Sequence, residues 1–172
     1  MLTICTKAKL GRNTEELVSQ ACEVYTVNKT ANIQKIPTPF KIIKTQGKFL
    51  IAVPEQKSTV DYLGEYEGIP FAMEVKETSN KTSYPFDPWK REQHQRDFLS
   101  RWKGFKYYLI GFSKLGEYYL VDFNTYENLY VKSVLGGKKS INISWFRENA
   151  SQISFKRGFL DFLGAVDKAK IA

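Results

Sequence analysis

The chain has 172 residues, 42% of them hydrophobic and 15% aromatic, which excludes a disordered chain and predicts one domain with a substantial core. Its 26 lysines and arginines exceed its 18 aspartates and glutamates and give a net charge of +8. This charge favours a polyanionic partner, nucleic acid before an anionic membrane surface, although a basic soluble domain without such a partner is the plain alternative.

The first predicted element is a helix over NTEELVSQACEVY, residues 13–25. Asn13 is a typical N-cap, Glu16 stands three positions later as in a capping box, and apolar residues recur at helical spacing on one face. Cys22 falls on that apolar face. Neither Cys22 nor Cys5 matches the spacing of a zinc site or a disulfide framework, so a reducing cytoplasm is expected.

A projecting two-stranded arm is predicted next, over about residues 40–57. Prolines at positions 37 and 39 just before it, lysines at positions 41, 44 and 48, and a Gln-Gly-Lys tip at residues 46–48 are typical of an exposed ribbon and unusual in a buried sheet.

The remaining elements complete a single domain over residues 1–172. Two strands, STVDYLGEY and IPFAMEVKE, are separated by Glu67-Gly68, which is close to the Asp-Gly hairpin signal. A loop over residues 79–90 precedes a short helix, REQHQRDFLSRWK, with its large apolar side chains inward. Two strands, KYYLIGFS and GEYYLVDF, a GGKKS loop and a helix start at ISWFRENASQ follow. This order predicts an α/β fold in which helices flank a mixed sheet.

Charged residues on the predicted hairpin suggest a metal site. A two-residue turn at Glu67-Gly68 places Asp61 directly across from Glu74, and Lys76 shares the face of Glu74. The two carboxylates repel each other, and Mg²⁺ is a hard cation that such oxygen ligands hold. Such an ion polarises a phosphodiester and a nearby lysine stabilises developing charge, which indicates a hydrolase. An exposed strand face with a cross-strand ion pair is the alternative.

These residues lie within a longer pattern that resembles the RecU-type Holliday junction resolvases, a branch of a nuclease superfamily with an Asp…Glu-x-Lys signature. The pattern covers roughly residues 11–166 and consists, in order, of GRNTEELV, PTPFKIIK, STVDYLGEYEG, MEVKETSNKTSYPF, HQRDFL and GGKKSI. The resemblance implies a restriction-endonuclease-like fold with the arm as a stalk. It also implies a homodimer that acts on four-way junction DNA with Mg²⁺, for which Mn²⁺ would substitute.

The resemblance also implies roles for the hairpin residues. Asp61 and Glu74 resemble the metal ligands of the family, with the carbonyl of Val75 as a candidate third ligand. Lys76 resembles its catalytic lysine.

Helix residues complete the expected site. Gln95 resembles the family glutamine that supports the site, and its spacing to the inward apolar residues favours it over Gln93. The acid of the first helix is Glu15 or Glu16, and Glu15 is preferred because Glu16 suits the capping role. His94 is expected to be an exposed helix residue, although a histidine-based nuclease is the other interpretation.

DNA contacts are expected from basic loops and from one residue beside Asp61 on the same strand face. They are Lys41, Lys44, Lys48, Thr59, Lys138 and Lys139, and the lysines should contact phosphates without recognising bases. Simple solvation is the alternative for each lysine. No run of about 18 apolar residues occurs, so no membrane partner is expected.

The function predicted from these features is symmetric nicking of opposing strands of a Holliday junction, with 5′-phosphate ends. Two like strands need two like sites, which a twofold homodimer supplies. Two alternatives remain: a catalytically silent junction-binding protein, and a nuclease of the same superfamily acting on other DNA. An RNA-binding module lacks support because no stacking motif of the RRM type occurs.

Overall fold

The computed structural model describes residues 13–37, 39–47, 49–54, 59–85 and 93–167. Its helices are α1 (Thr14–Val27), α2 (Gln93–Arg101), α3 (Phe123–Leu135) and α4 (Ile143–Asn149). Its strands are β1 (Ala31–Lys35), β2 (Phe40–Gln46), β3 (Phe49–Pro54), β4 (Tyr62–Tyr66), β5 (Ile69–Thr78), β6 (Ser83–Pro85), β7 (Phe105–Phe112), β8 (Glu117–Asp122), β9 (Ser140–Asn142), β10 (Ser151–Gln152), β11 (Phe155–Lys156) and β12 (Phe159–Leu160). None of the described helices is long and apolar enough to cross a bilayer.

Six strands form one mixed sheet in the order β1-β4-β5-β7-β8-β10. The central pair β5–β7 is parallel, whereas the pairs on either side of it are antiparallel. The strand pairs β2–β3, β6–β9 and β11–β12 form separate two-stranded sheets. The predicted α/β architecture with a mixed sheet and flanking helices is confirmed.

Two hydrophobic clusters cover the sheet, and β5 contributes to both. The first joins α1 and the C-terminal segment to alternate β5 residues, Phe71, Met73 and Val75. The second joins Ala72 to side chains from α2, α3 and α4. Alternation along the strand gives Glu74 and Lys76 the same direction as Ala72. The charged pair therefore lies on the central strand beside the second cluster.

Helix α1 forms as predicted. The Asn13 side chain accepts a hydrogen bond from the Glu16 N–H at 2.8 Å, as an N-cap does. The apolar face predicted from helical spacing is buried and consists of Leu17, Val18, Ala21, Cys22 and Tyr25. Cys22 is a free thiol, and burial raises its pKa to about 12.

The hairpin β4–β5 has the predicted turn and register. Glu67 and Gly68 both have positive φ, 54° and 76°, which a two-residue type I′ turn requires. Tyr62 pairs with Met73, so the register points Asp61 toward Glu74. The first strand is shorter than predicted, because β4 begins at Tyr62. Thr59 lies in an exposed bend before it, so its placement on the strand is wrong.

The longest elements that were not predicted are the edge strand β1 and helix α3. The Asp122 carboxylate caps α3 by accepting hydrogen bonds from the Asn124 and Thr125 N–H groups at 3.0 and 3.1 Å. Phe123, Tyr126 and Tyr130 then bury one helix face. Asp122 is also the last residue of β8. Because no loop separates the strand from the helix, the sequence does not signal where α3 begins. The predicted loops also contain the short pair β6–β9.

The predicted arm contains the strand pair β2–β3, from Phe40 opposite Pro54 to the Gln46–Phe49 pair. We call β2 and β3 the ribbon. Lys48 and residues 55–58 lie outside the described residues. The ribbon is inserted between β1 and β4, which pair at Lys35 and Tyr62. The Ile36 N–H donates to the Asp61 carbonyl at 2.8 Å, so the chain enters and leaves the ribbon segment beside Asp61.

Candidate active site

Strand β5 holds Glu74 and Lys76 in a close ion pair at the centre of the sheet. Lys76 Nζ lies 2.8 Å from Glu74 Oε1. Glu74 is only 1% exposed, whereas the Lys76 side chain is 20% exposed. An exposed charged strand face, the alternative drawn from spacing, is therefore wrong for Glu74. The lysine connects a buried carboxylate to the protein surface.

Helix α2 supplies Gln95 to this pair. Its Nε2 donates a hydrogen bond to Glu74 Oε1, and its Oε1 accepts one from Lys76 Nζ at 3.2 Å. Gln93, the other candidate, is exposed and donates to Asp97 on its own helix. The inward direction predicted for Gln95 from helical spacing is thus what the structure shows.

Asp61 is held by the strand opposite it. Its Oδ2 accepts a hydrogen bond from the Val75 N–H at 2.8 Å. Burial raises the pKa of Asp61, the Val75 N–H and the Lys76 charge lower it, and the Glu15 charge raises it again. The hairpin register and this hydrogen bond bring Asp61, Glu74 and Lys76 together, as their spacing predicted.

The Glu74 carboxylate fits a cation. Burial, the largest cause, raises its pKa to about 8, the Asp61 charge adds to this rise, and Lys76 opposes it. Its Oε2 is buried, and no hydrogen-bond donor among the described residues reaches it. A buried oxygen without a donor is costly unless a proton or a cation occupies it.

The carboxylate pair is small for a metal site. Within the described parts of the chain, no group of three or more His, Cys, Asp and Glu side chains is placed to hold an ion. Mg²⁺ does not require such a group, because it is commonly held by one or two carboxylates with water and substrate phosphate. The donor set of Asp61 and Glu74 is therefore compatible with Mg²⁺.

Glu15 lies at the edge of this cluster and Glu16 does not. Glu15 Oε2 forms an ion pair with Lys35 Nζ at 2.6 Å. A cavity of about 180 Å³ is lined by Asn13, Thr14, Glu15, Val75 and Glu77, which brings Glu15 next to the strand of Glu74. The Glu16 side chain is exposed, and its N–H is the group that Asn13 caps.

The exposed position predicted for His94 is wrong. The residue is half-buried, and its Nδ1 is buried without a hydrogen-bond partner among the described residues. Because Gln95 points from α2 toward Glu74, the adjacent His94 points in a different direction.

The predicted DNA contacts fall on separate segments of the chain, one of which adjoins Asp61. Lys41 and Lys44 are exposed on β2, and Lys138 and Lys139 are exposed after α3. Thr59 is exposed two residues before Asp61. Lys48 lies outside the described residues. The structure therefore places these residues on three separate segments.

One structural support of the site was missed in the sequence. Arg96, next to Gln95, forms a two-bond ion pair with Glu127 of α3, in which its Nε donates at 2.9 Å. Its guanidinium also lies 4.1 Å from the ring centre of Tyr130. These contacts fix α2, and with it Gln95, against α3. The Arg96–Glu127 ion pair could not be predicted because α3 itself was not predicted.

Known proteins match nearly the whole chain. The family model for RecU, described as recombination protein U, matches residues 9–168. The Holliday junction resolvase RecU of Listeria innocua serovar 6a is 31% identical over 175 residues, which cover 96% of this chain and 87% of the relative. The protein of the same name from Oenococcus oeni is 31% identical over 169 residues, with 93% and 85% covered. That from Staphylococcus epidermidis is 32% identical over 167 residues, with 92% and 80% covered.

Proposed function

The chain belongs to the RecU family, and from this premise we propose that it is a Holliday junction resolvase, an endonuclease that cuts opposing strands of a four-way DNA junction in recombination. The observation that carries the proposal is the buried Glu74 carboxylate beside Lys76, Gln95 and Asp61. Burying an ionisable group is costly. A silent junction-binding protein needs only its basic surface, so it has no use for this arrangement.

Asp61 and Glu74 would hold Mg²⁺, for which Mn²⁺ would substitute. Oε2 of Glu74, which no donor among the described residues reaches, and the neighbouring Asp61 carboxylate supply oxygen ligands, which hard cations prefer. The carbonyl of Val75 is the third ligand that we propose. When bound, Mg²⁺ supplies positive charge that polarises a scissile phosphate and makes water easier to deprotonate.

The surrounding side chains then have distinct tasks. Gln95 and Lys76 engage Oε1 of Glu74, which leaves Oε2 for the cation. The Val75 N–H fixes one oxygen of Asp61. The Lys76 ammonium is partly exposed, so it can donate to a phosphate oxygen or to the attacking water and stabilise the charge that develops during cleavage. Glu15 would support the site from α1.

The substrate would be recognised by shape and charge. The ribbon is a separate two-stranded sheet in the segment between Ile36 and Asp61, which are hydrogen-bonded to each other, and we propose that it is a stalk that fills the open centre of the junction. The exposed lysines would contact phosphates, which position DNA without recognising its sequence. These are Lys41, Lys44, Lys48, Lys138 and Lys139, together with the polar Thr59.

Two like strands are cut in a junction, so two like sites are needed. A twofold homodimer supplies them, and we propose this assembly together with a restriction-endonuclease-like core and a cytoplasmic location. The mixed sheet with its parallel central pair, together with one carboxylate on β5 and one directly before β4, supports that class of core.

Labelled four-way, three-way and linear DNA of equal length, incubated with the protein with and without Mg²⁺, test this function. We expect paired nicks with 5′-phosphate ends in the four-way junction, in Mg²⁺ only, and none with the Asp61→Asn variant. Junction binding without cleavage in Mg²⁺ or Mn²⁺ would establish a silent binder. Equal cleavage of linear DNA would establish a nuclease without junction selectivity.

A further inference from the structure

The two strands that carry the site residues also hold the first turn of α1. Each does so through the residue that directly follows a site residue. Tyr62, after Asp61, donates its hydroxyl to the Glu15 carbonyl at 2.9 Å. Glu77, after Lys76, accepts two hydrogen bonds on one oxygen, from the N–H and the hydroxyl of Thr14, both at 2.6 Å.

We propose that Glu77 is a positioning residue of the nuclease site: through Thr14 its carboxylate fixes the first turn of α1, and therefore Glu15, against the end of β5. The inference rests on the proposed function, because it gives Glu77 a task in cleavage. It assigns no contact with DNA or metal to Glu77 itself.

The Thr14 side chain is built into the fold at this point. Thr14 is 1% exposed, and Gly111 of β7 faces it. A Cβ at Gly111 would collide with the Thr14 hydroxyl, so glycine allows the helix to approach β7 this closely. A hydroxyl confined in this way has few alternative acceptors, and losing Glu77 would leave it buried without one.

Local capping of α1 does not require Glu77. Asn13 already satisfies the Glu16 N–H, as the N-cap of an isolated helix would. Glu77 satisfies a further free N–H and places negative charge at the positive end of the helix. Because Glu77 is 63 positions from Thr14, this second acceptor joins the helix to the site strand.

The hydrogen bonds between Thr14 and Glu77 determine where Glu15 lies. Thr14 and Glu77 line the same cavity of about 180 Å³ as Glu15 and Val75. Val75 lies between the two site residues of β5 and donates its N–H to Asp61. A shift of the first helical turn would therefore move Glu15 relative to the proposed metal ligands.

The test is single-turnover cleavage of a labelled four-way junction in Mg²⁺ by the full-length Glu77→Ala variant. Loss of a hydrogen-bonding support behind such a site lowers activity about 10–100-fold, and we expect a loss in this range with junction affinity unchanged within about twofold. Glu77→Gln keeps an oxygen that accepts from Thr14 and should restore most of the rate. Glu65→Ala, an exposed carboxylate on β4, is the matched control and should cleave normally.

A double-mutant cycle with Thr14→Val tests the route. Thr14→Val should slow cleavage, and Thr14→Val combined with Glu77→Ala should be no slower than Glu77→Ala alone, within about twofold. If the rate losses of the two single variants multiply in the double variant, the proposal is overturned, because Glu77 would then act on DNA or metal independently of Thr14.

Amide hydrogen exchange separates this proposal from the proposed function. The first turn of α1 should exchange at least about tenfold faster in Glu77→Ala than in Glu65→Ala, without DNA or metal. Faster exchange with unchanged cleavage would show a purely structural link and overturn the positioning role, as would unchanged exchange. If the wild type fails to cleave any junction, the proposed function fails, while exchange still reports whether Glu77 holds the helix.

Discussion

The site on β5 and the ribbon depart from ordinary burial in opposite directions. The site buries charge: Glu74 is 1% exposed in the middle of the main sheet. The ribbon exposes apolar groups: Ile42 and Ile43 are 56% and 60% exposed. A buried charge and an exposed patch of large apolar side chains are the informative exceptions in a folded protein, whereas single exposed apolar side chains, such as Val27 and Leu135, are ordinary. Neither departure stabilises the fold, and under the proposed function the first region serves chemistry and the second contacts the substrate.

The difference also concerns rigidity. Glu74 and Lys76 are fixed by a parallel neighbour strand and by Gln95. In the ribbon the register shifts between Ile42 and Lys44. A bulge bends and twists a strand. We therefore expect the two regions to be separable by mutation, although they meet at Asp61.

The largest effect should come from Asp61→Asn. Removing one carboxylate of the pair should lower single-turnover cleavage about 10³-fold or more, as loss of a central catalytic group does. Junction binding should persist or tighten, because a negative charge near phosphate is lost. Glu65→Gln on the same hairpin is the control. Cleavage by Asp61→Asn at near wild-type rate would show that the metal pair is misassigned.

Lys76→Ala should have the next largest effect. Loss of a donor that stabilises developing charge typically lowers the rate about 10²–10³-fold. Mn²⁺ affinity, measured by calorimetry, should stay largely intact because both carboxylates remain. The preference for junction over linear DNA should also be unchanged, since the ribbon is untouched. Weaker binding with unaltered cleavage would return Lys76 to a simple ion-pair role.

The sequence predicted those parts of this comparison that depend on local signals. Glu67-Gly68 specified the turn, and the turn specified which residue opposes Glu74. Helical spacing selected Gln95. The prolines and lysines near residue 40 predicted a ribbon, and β2–β3 is a separate sheet.

What the sequence did not reveal depends on tertiary packing. Glu74 is covered by Gln95 of α2, and the Arg96–Glu127 ion pair joins α2 to α3, a helix that was missed because its Asp122 cap directly follows β8. The strand β1 has only five residues and one free edge, so its alternating pattern is too short to indicate a strand. The half-buried His94 was missed for the same reason as Glu74, because burial is set by neighbours that are distant in the chain.

The pH dependence of stability tests the buried charge directly. The pKa of Glu74 is raised from 4.5 to about 8 in the folded protein, so the folded state binds this proton more tightly. The stability contribution is present below about pH 4.5 and is lost as pH rises toward 8. Since one pKa unit corresponds to about 1.4 kcal/mol, the loss is on the order of a few kcal/mol.

Urea unfolding at pH 5, 6.5 and 8 in chelator measures this loss in the wild type and in Glu74→Gln. Glutamine is neutral throughout, so the wild type should lose more stability than the variant as pH rises. Asp61 is present in both proteins, so its contribution to the pH dependence of stability largely cancels in the comparison. Mg²⁺ should reduce the loss in the wild type only, because it binds the ionised carboxylate. Parallel curves for the two proteins would contradict the buried charge.

The smallest effect, and the one that separates the two regions, should come from the ribbon. Replacing residues 45–50 by a tight Asn-Gly turn shortens a separate two-stranded sheet, which should cost the main sheet little stability. Affinity for the four-way junction should fall about tenfold, roughly 1.4 kcal/mol, relative to linear duplex at fixed salt. As a control, Lys138→Gln with Lys139→Gln, which are exposed after α3 and lie outside the ribbon, should weaken both DNAs alike, because phosphate contacts do not distinguish them. If the shortened protein is folded and its affinity ratio is unchanged, the ribbon does not select the junction, and its exposed isoleucines need another explanation.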